Sequence, residues 1–422
     1  MTQQSTRRTL LGDGDFARFI LGRLAGEIGS RVTREGLPIV AILVTGATAA
    51  DLGVLAALSM MPALILGSVA GPVTDRHRRR PLLVLSELVR SALLFSIPVA
   101  ALFHRLTFVQ IAIVTALVFS VAVFYNVADR AYLPFLVTRG RLAEGNRLVS
   151  GAEAVGESAG PLLMGVLIQL LGSPFAILFD ALARLASAFG AASVRKVEPA
   201  PAPGSGSRSV GREAAAGMGI WTRHPVLRWL GLTLMVDGLM GGFHATLYEL
   251  YALRVLHLSP FLLGVLVTAG GVGSLIGSLV LMRFLRGRSL GSLLFITFLL
   301  GGLANTLIPL AHGAVLTAFL FLLGAQLLGD LFATIFEINA RVLEQSLTPD
   351  QWLGRVEGAL RTLTGGLGVA GAVMAGLFAT WLGTRDALWI SAIGSVLTAG
   401  VLLAPEVRRL AVARYEWEFP AS

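Results

Sequence analysis

The sequence predicts an all-α integral membrane protein with twelve transmembrane helices in two pseudo-symmetric six-helix bundles. Three observations carry this expectation. First, 55% of the 422 residues are hydrophobic and only 14% are charged, against about 25% charged in soluble domains. Apolar runs of about 20 residues, the length that crosses a hydrocarbon core, recur along the whole chain. Second, the arginines gather in short loops between those runs. Third, one stretch rich in Pro, Gly and Ser, Glu198 to Glu213, divides the runs into two sets of six.

Taken in order, the spans fall near residues 16–45, 52–73, 81–103, 107–128, 143–171 and 174–194, then 226–252, 260–283, 290–311, 314–338, 354–382 and 386–404. Their edges are set by loop signals such as the Gly71–Arg80 run, Thr138–Arg147 and His224-Pro225. The domains expected are residues 1–195, a linker at 196–225, residues 226–404 and a tail at 405–422. The linker composition is that of a flexible connection, and Glu213–Arg223 reads as a short interfacial helix. The halves look related. Thr138…Arg147 with Gly160-Pro161 and Leu171-Gly172 matches Thr348-Pro349…Arg355 with Gly371 and Leu382-Gly383.

Orientation follows from the loop cations. If the N-terminus is cytoplasmic, only Arg105, Arg254 and Arg385 fall in outer loops. All other loop cations, Arg76 to Arg80 and Arg139 to Arg147 among them, then fall inside, so both termini are expected in the cytoplasm. The net charge of +9 is therefore explained by membrane orientation, and nucleic acid is not expected as a partner. The chain has no cysteine, which excludes disulfides and thiol chemistry. The N-terminus shows no pattern of basic start, apolar run and small-residue cleavage site. No metal-ligand spacing and no phosphate-binding loop is found, so no cofactor, no ATP drive and no enzymatic activity is expected.

The loop Gly71–Arg80 reads GPVTDRHRRR. It resembles the loop between helices 2 and 3 of the major facilitator superfamily of transporters, whose pattern is G-x-L-A-D-R-x-G-R-K. Gly71, Asp75, Arg76 and Arg79 stand in place, Arg80 replaces lysine, and Arg78 stands where the pattern has its second glycine. Further resemblance, to the efflux branch that includes enterobactin exporters and macrolide or multidrug efflux proteins, lies in Ser86–Arg90, Phe124–Asn126, Tyr251-Ala252, Leu258–Pro260 and Thr348-Pro349…Gly354–Val356. In the fifth span, Gly156, Gly160, Pro161 and Gly165 resemble the glycine-proline element of antiporters. Helix packing by small residues is the other reading of that element. The resemblance implies duplicated halves built from inverted three-helix repeats. It implies a cytoplasmic gate in which Asp75 caps the eleventh helix. Asp129, at the inner end of the fourth span, is the expected partner of Arg76 or Arg79.

The charges inside the spans are the candidate site. Arg23, Glu27, Arg31 and Glu35 recur every four residues, forming a stripe about 18 Å long on one helix face, with Arg34 beside it. Charge at the bilayer centre costs about 3 kcal/mol or more, so the stripe must face water or other helices. It serves either as an ion-pair ladder toward Glu153 and Glu157 of the fifth span, or in substrate and proton handling. The seventh span carries Asp237 and His244, and the tenth carries Asp330 and Glu337. Asp180 and Arg184 in the sixth read as a structural pair. Asp237 and Asp330 lack a sequence-local cation and are the expected proton carriers.

The expected activity is export of a small amphiphilic organic compound, drug, macrolide or siderophore-like, by alternating access in exchange for protons. The alternatives are import of a small organic anion and a receptor that transports nothing. Expected partners are the small-molecule substrate, protons and the lipid bilayer, for a monomer in a bacterial inner membrane.

Overall fold

The computed structural model describes residues 9–198, 219, 221–281 and 289–410. Residues 199–218 and 220 of the expected linker, Arg7, Arg8, Arg283, Arg286, Arg288 and the tail beyond Leu410 lie outside the described residues. Among those residues there are twelve long helices and no strand. They are α1 (Gly14–Val40), α2 (Ala49–Arg76), α3 (Arg79–Leu102), α4 (Phe108–Leu136), α5 (Leu142–Leu171) and α6 (Ser173–Ala192), then α7 (Pro225–Leu250), α8 (Pro260–Ile276), α9 (Leu290–Asn305), α10 (Val315–Leu347), α11 (Asp350–Leu382) and α12 (Thr384–Thr398).

Eleven of these segments are long and apolar enough to cross a bilayer. The remaining one is α1. Its 27 residues have the length, but Arg23, Glu27, Arg31, Arg34 and Glu35 lower its hydropathy. It is held instead by packing against α5 and α6.

The chain divides into two compact units, Met1–Gly46 with Pro62–Ser207, and Ala47–Met61 with Arg208–Ser422. Helix α2 is thus shared. Its first half joins the second unit because small residues let it approach α11 closely. A Cβ on Gly53 would lie 2.7 Å from the Ala372 carbonyl, and one on Gly376 would lie 2.8 Å from that of Ala49.

Inside each unit the same packing recurs. In the first, α1 packs on α5 and α6, and α3 on α4 and α6; in the second, α7 packs on α11 and α12, and α9 on α10 and α12. Two backbone features support the duplication. Gly172, between α5 and α6, and Gly383, between α11 and α12, have φ of 89° and 92° with ψ of 152° and 156°. Only glycine occupies that region cheaply. Both α1 and α7 also widen into π-helix where they end, at Ala41–Thr45 and Tyr251–Val255.

Side chains close several helix starts, as the four orphan N–H groups require. The Asp13 carboxylate accepts from Asp15 and Phe16, and the Ser259 hydroxyl from Leu262. At α7 the cap is His224, whose Nδ1 accepts from the N–H groups of Val226 and Leu227 at 3.2 and 3.3 Å. Acceptance requires that this nitrogen be unprotonated. His224 lies just outside the spanning segment, and burial holds its imidazole below the ordinary value of 6.5. A depressed folded value favours the neutral form, so this contribution is complete above about pH 6.5 and is lost as pH falls through the folded value. We expect His224→Ala to lower stability by about 1 kcal/mol. Thermal unfolding in detergent at pH 8 and pH 5 checks this: the gap between wild type and variant should shrink at pH 5.

Candidate functional site

In the first unit, two small-residue faces fix α1. On one, Gly22 and Gly26 lie against Gly190 and Ser187 of α6; a Cβ on Gly26 would stand 3.3 Å from the Ser187 side chain. On the other, Gly156 and Gly160 of α5 meet the stripe itself. A Cβ on Gly156 would lie 3.0 Å from the Glu27 Cβ, and one on Gly160 would collide with the Arg31 side chain. Two members of the Gly156, Gly160, Pro161 and Gly165 element, Gly156 and Gly160, therefore sit at a close α1–α5 crossing. Gly160, Pro161 and Gly165 are buried.

This approach brings the charges of three helices together. Arg23, only 6% exposed, pairs with Glu153 of α5 at 2.6 Å, with Glu27 one turn along at 3.3 Å, and with Asp129 of α4. Arg31 pairs with Glu157 of α5. Arg34 and Glu35 stand 4.0 Å apart, with the Arg34 side chain exposed. The ion-pair ladder toward Glu153 and Glu157 is thus formed. It is not uniformly enclosed, because the Glu153 and Glu157 side chains are half exposed while Arg23 is buried.

Asp129 corrects an expectation. It pairs with Arg23, not with Arg76 or Arg79. The reason is helix phase. Tyr125, Asp129 and Tyr132 share one face of α4, and that face is buried against Phe16, Phe19 and Ile20 of α1. Arg76 sits exposed with Asp75 on the last turn of α2. The start of α3 is occupied by Glu198, which accepts from the Arg79 N–H at 2.9 Å. Gly71 lies in open space, where a Cβ would meet nothing.

Sequence reasoning missed a buried network between α3 and α6. Glu87 accepts from the Arg184 guanidinium at 3.3 Å and from the Ser187 hydroxyl at 3.0 Å. Arg184 also meets Asp180 at 3.0 Å, and Arg90 stands 3.5 Å from Glu87 and over the Tyr125 ring. Glu87, Arg90, Asp180 and Arg184 are all under 7% exposed. Two acids and two arginines balance, which is what burial of four charges demands. The i,i+3 spacing of Glu87 and Arg90 beside the i,i+4 spacing of Asp180 and Arg184 was the available signal.

In the second unit, α7, α10 and α11 line an open-mouthed cavity of about 330 Å³. Asp237 of α7 lines it opposite Glu337, Arg341 and Glu344 of α10, with Glu357 and Arg361 of α11 completing the wall. The α10 residues recur at i, i+4 and i+7, so one helix face supplies them all. Glu357 and Arg361 pair with each other at 2.8 Å. Close packing of α7 on α11 beside Asp237 depends on Gly238, whose Cβ would stand 2.6 Å from the Thr364 carbonyl. Glu344, Glu357 and Arg361 were not singled out from sequence.

The other two predicted residues of this unit lie elsewhere. His244 is two turns along α7 from Asp237, about 10 Å away at 1.5 Å per residue, and its ring stacks on Tyr248 with centroids 5.2 Å apart. Asp330 is two turns from Glu337 on α10 and abuts Gly270 of α8, where a Cβ would meet its carboxylate. Helices α7 and α10 run in opposite directions, so His244 and Asp330 occupy the same second level, displaced from Asp237 and Glu337 along the helices. The four residues split into two tiers. Among the described residues no group of three His, Cys, Asp or Glu side chains has metal-binding geometry.

Twelve long helices among the described residues, in two similarly packed units with acids and arginines inside the helix bundles, define a multi-pass membrane protein. The chain belongs to the Major Facilitator Superfamily, whose family model matches residues 19–372. The chain is 27% identical to the multidrug efflux pump Tap of Mycolicibacterium fortuitum over 417 residues, which cover 95% of this chain and 98% of that one. Among solved structures, a bacterial homologue of the iron transporter ferroportin in an inward-facing state is similar with a TM-score of 0.75 at 16% identity, covering 95% of this chain and 100% of that one. The nucleoside transporter NupG is similar with a TM-score of 0.73 at 13% identity, covering 92% and 98%. At these identities the structural likeness concerns the fold alone.

Proposed function

We propose that this protein exports a small amphiphilic organic compound across a bacterial inner membrane in exchange for protons, with both termini in the cytoplasm. Two six-helix halves joined through residues 196–225 alternate access. The observation that carries the coupling is the cavity shared by Asp237, Glu337 and Glu344. Acids held inside a membrane domain are costly unless they serve transport, and a carboxylate facing a cavity can gain and lose a proton in each cycle. Export is favoured by the likeness to a multidrug efflux pump over nearly the full length of both chains. Import of a small organic anion is less well supported, because Arg23 and Arg31 already hold carboxylates. The second tier, His244 and Asp330, continues the proton path from Asp237 and Glu337. The α1 stripe, Arg23, Glu27, Arg31, Arg34 and Glu35, positions α4 and α5, and its partly exposed acids, Glu27 and Glu35, meet the substrate.

The gate reading rests on Gly71, Asp75, Arg76 and Arg79. Asp75 is exposed at the end of α2, available to a helix N-terminus, where a carboxylate is favoured. Asp75→Asn should insert normally and lose most transport, because the inward-closed state loses about 1–2 kcal/mol. Drug accumulation in cells, compared at matched expression, tests it. Near-normal efflux by the variant would remove Asp75 from the gate.

A further inference from the structure

Where α3 begins, the first unit carries an open groove of about 500 Å³. Arg78 and Arg80 stand at one end of it, and Val84, Leu85, Leu88 and Val197 line the rest. The apolar part is open: Leu85, Leu88 and Val197 are 59%, 44% and 81% exposed. The wall is held in place by the chain leaving α6. The Glu198 carboxylate, itself 8% exposed, accepts from the Arg79 and Arg80 N–H groups at 2.9 and 3.0 Å. The Arg80 guanidinium donates to the Ala192 carbonyl at the end of α6. Lys196 donates from Nζ to the Phe135 carbonyl at 2.6 Å at the end of α4, and the Asp15 carboxylate accepts from the Arg195 and Lys196 N–H groups at 3.1 and 3.0 Å. Residues 195–198 therefore tie the ends of α1, α3, α4 and α6 together, and the groove is a fixed feature of that end of the unit.

We propose that this groove binds one anionic phospholipid, its phosphate against Arg78 and Arg80 and an acyl chain along Val84, Leu85, Leu88 and Val197. Two features choose the occupant. The apolar strip runs along a spanning helix away from a cationic end, which matches a molecule with a charged head and a hydrocarbon tail. Two guanidinium groups against the single Glu198 carboxylate leave one positive charge, the complement of a phosphatidylglycerol head rather than of a zwitterionic one. A soluble phosphate would satisfy the arginines and leave the apolar strip in water, so the lipid is the better-matched source of the same phosphate chemistry.

The test is retention of lipid by the full-length protein in native mass spectrometry, with phosphatidylglycerol and phosphatidylcholine of equal chain length offered together. Wild type should retain phosphatidylglycerol with a preference of about five-fold, the worth of one arginine near an anionic surface. Arg78→Glu turns the one net positive charge into one net negative charge and should bring that preference to one or below. Leu88→Trp, which fills the exposed floor, should lower retention of both lipids and keeps the test available if Arg78→Glu does not insert. Millimolar glycerol 1-phosphate should not compete. An unbiased wild type, a preference unchanged in Arg78→Glu, or retention unchanged in Leu88→Trp overturns the proposal. Displacement by glycerol 1-phosphate also overturns it and assigns the arginines to a soluble anion.

Discussion

Asp237→Asn is expected to abolish uphill transport driven by a pH gradient while leaving exchange of substrate at equal concentrations on the two sides. The amide keeps the shape of the carboxylate, so the cavity shared with Glu337 and Glu344 should survive. What disappears is a group that can carry a proton. Exchange needs alternating access but no net proton release, whereas uphill movement needs both. The expected loss of uphill rate is 100-fold or more, about 2.8 kcal/mol at about 1.4 kcal/mol per factor of ten. Glu337→Gln should weaken uphill transport in the same direction, because the two acids face one cavity. Asp330→Asn probes the second tier, and its loss should leave the Asp237 cavity intact. Both activities are measured in proteoliposomes with the same preparation. Retained uphill transport in Asp237→Asn and Asp330→Asn alike would move coupling to the first unit, where Glu27 and Glu157 are the next candidates.

The second large effect is on stability. Glu87 holds Arg184 and Ser187 and faces Arg90, all buried between α3 and α6. Glu87→Met leaves two arginines with one acid, Asp180, in a site that water does not reach. Removing one partner of a buried pair costs about 3–5 kcal/mol, enough to unfold a marginal membrane protein or prevent its accumulation. The double variant Glu87→Met with Arg90→Met restores the balance, leaving Asp180 paired with Arg184 at 3.0 Å. It should therefore be more stable than Glu87→Met alone, a non-additivity expected of residues in one network. Thermal unfolding in detergent measures both. Equal melting of wild type and Glu87→Met would show that the network carries no stability.

Much of this architecture was legible in the sequence because membrane helices are written in long apolar runs. The Leu171-Gly172 and Leu382-Gly383 correspondence pointed to a duplicated backbone, and the two glycines do adopt the same conformation. The ladder of Arg23 and Arg31 toward Glu153 and Glu157 was legible too, since four-residue spacing aligns charges on one face of each helix. What the sequence did not disclose is which helix faces meet. Asp129 looked like a partner of the Arg76 loop because it is near the end of its span. Its phase with Tyr125 and Tyr132 turns it inward to Arg23 instead. Glu344 and Glu357 join Asp237 only because α7, α10 and α11 converge, a tertiary fact with no local signature. For the same reason Asp237 and Asp330, equivalent as isolated acids in sequence, separate into two tiers. Glu198 looked like the first residue of a flexible linker, yet its carboxylate caps α3.

Whether substrate movement and proton movement are coupled is decided in inside-out membrane vesicles. The lumen is acidified by respiration and followed with a pH-sensitive dye, and amphiphilic drugs are added one at a time. At least one drug is expected to release protons from the lumen in wild-type vesicles, and the same drug is expected to release none in vesicles carrying Asp237→Asn. Uphill drug uptake that proceeds undiminished after the pH gradient has been collapsed would contradict that coupling.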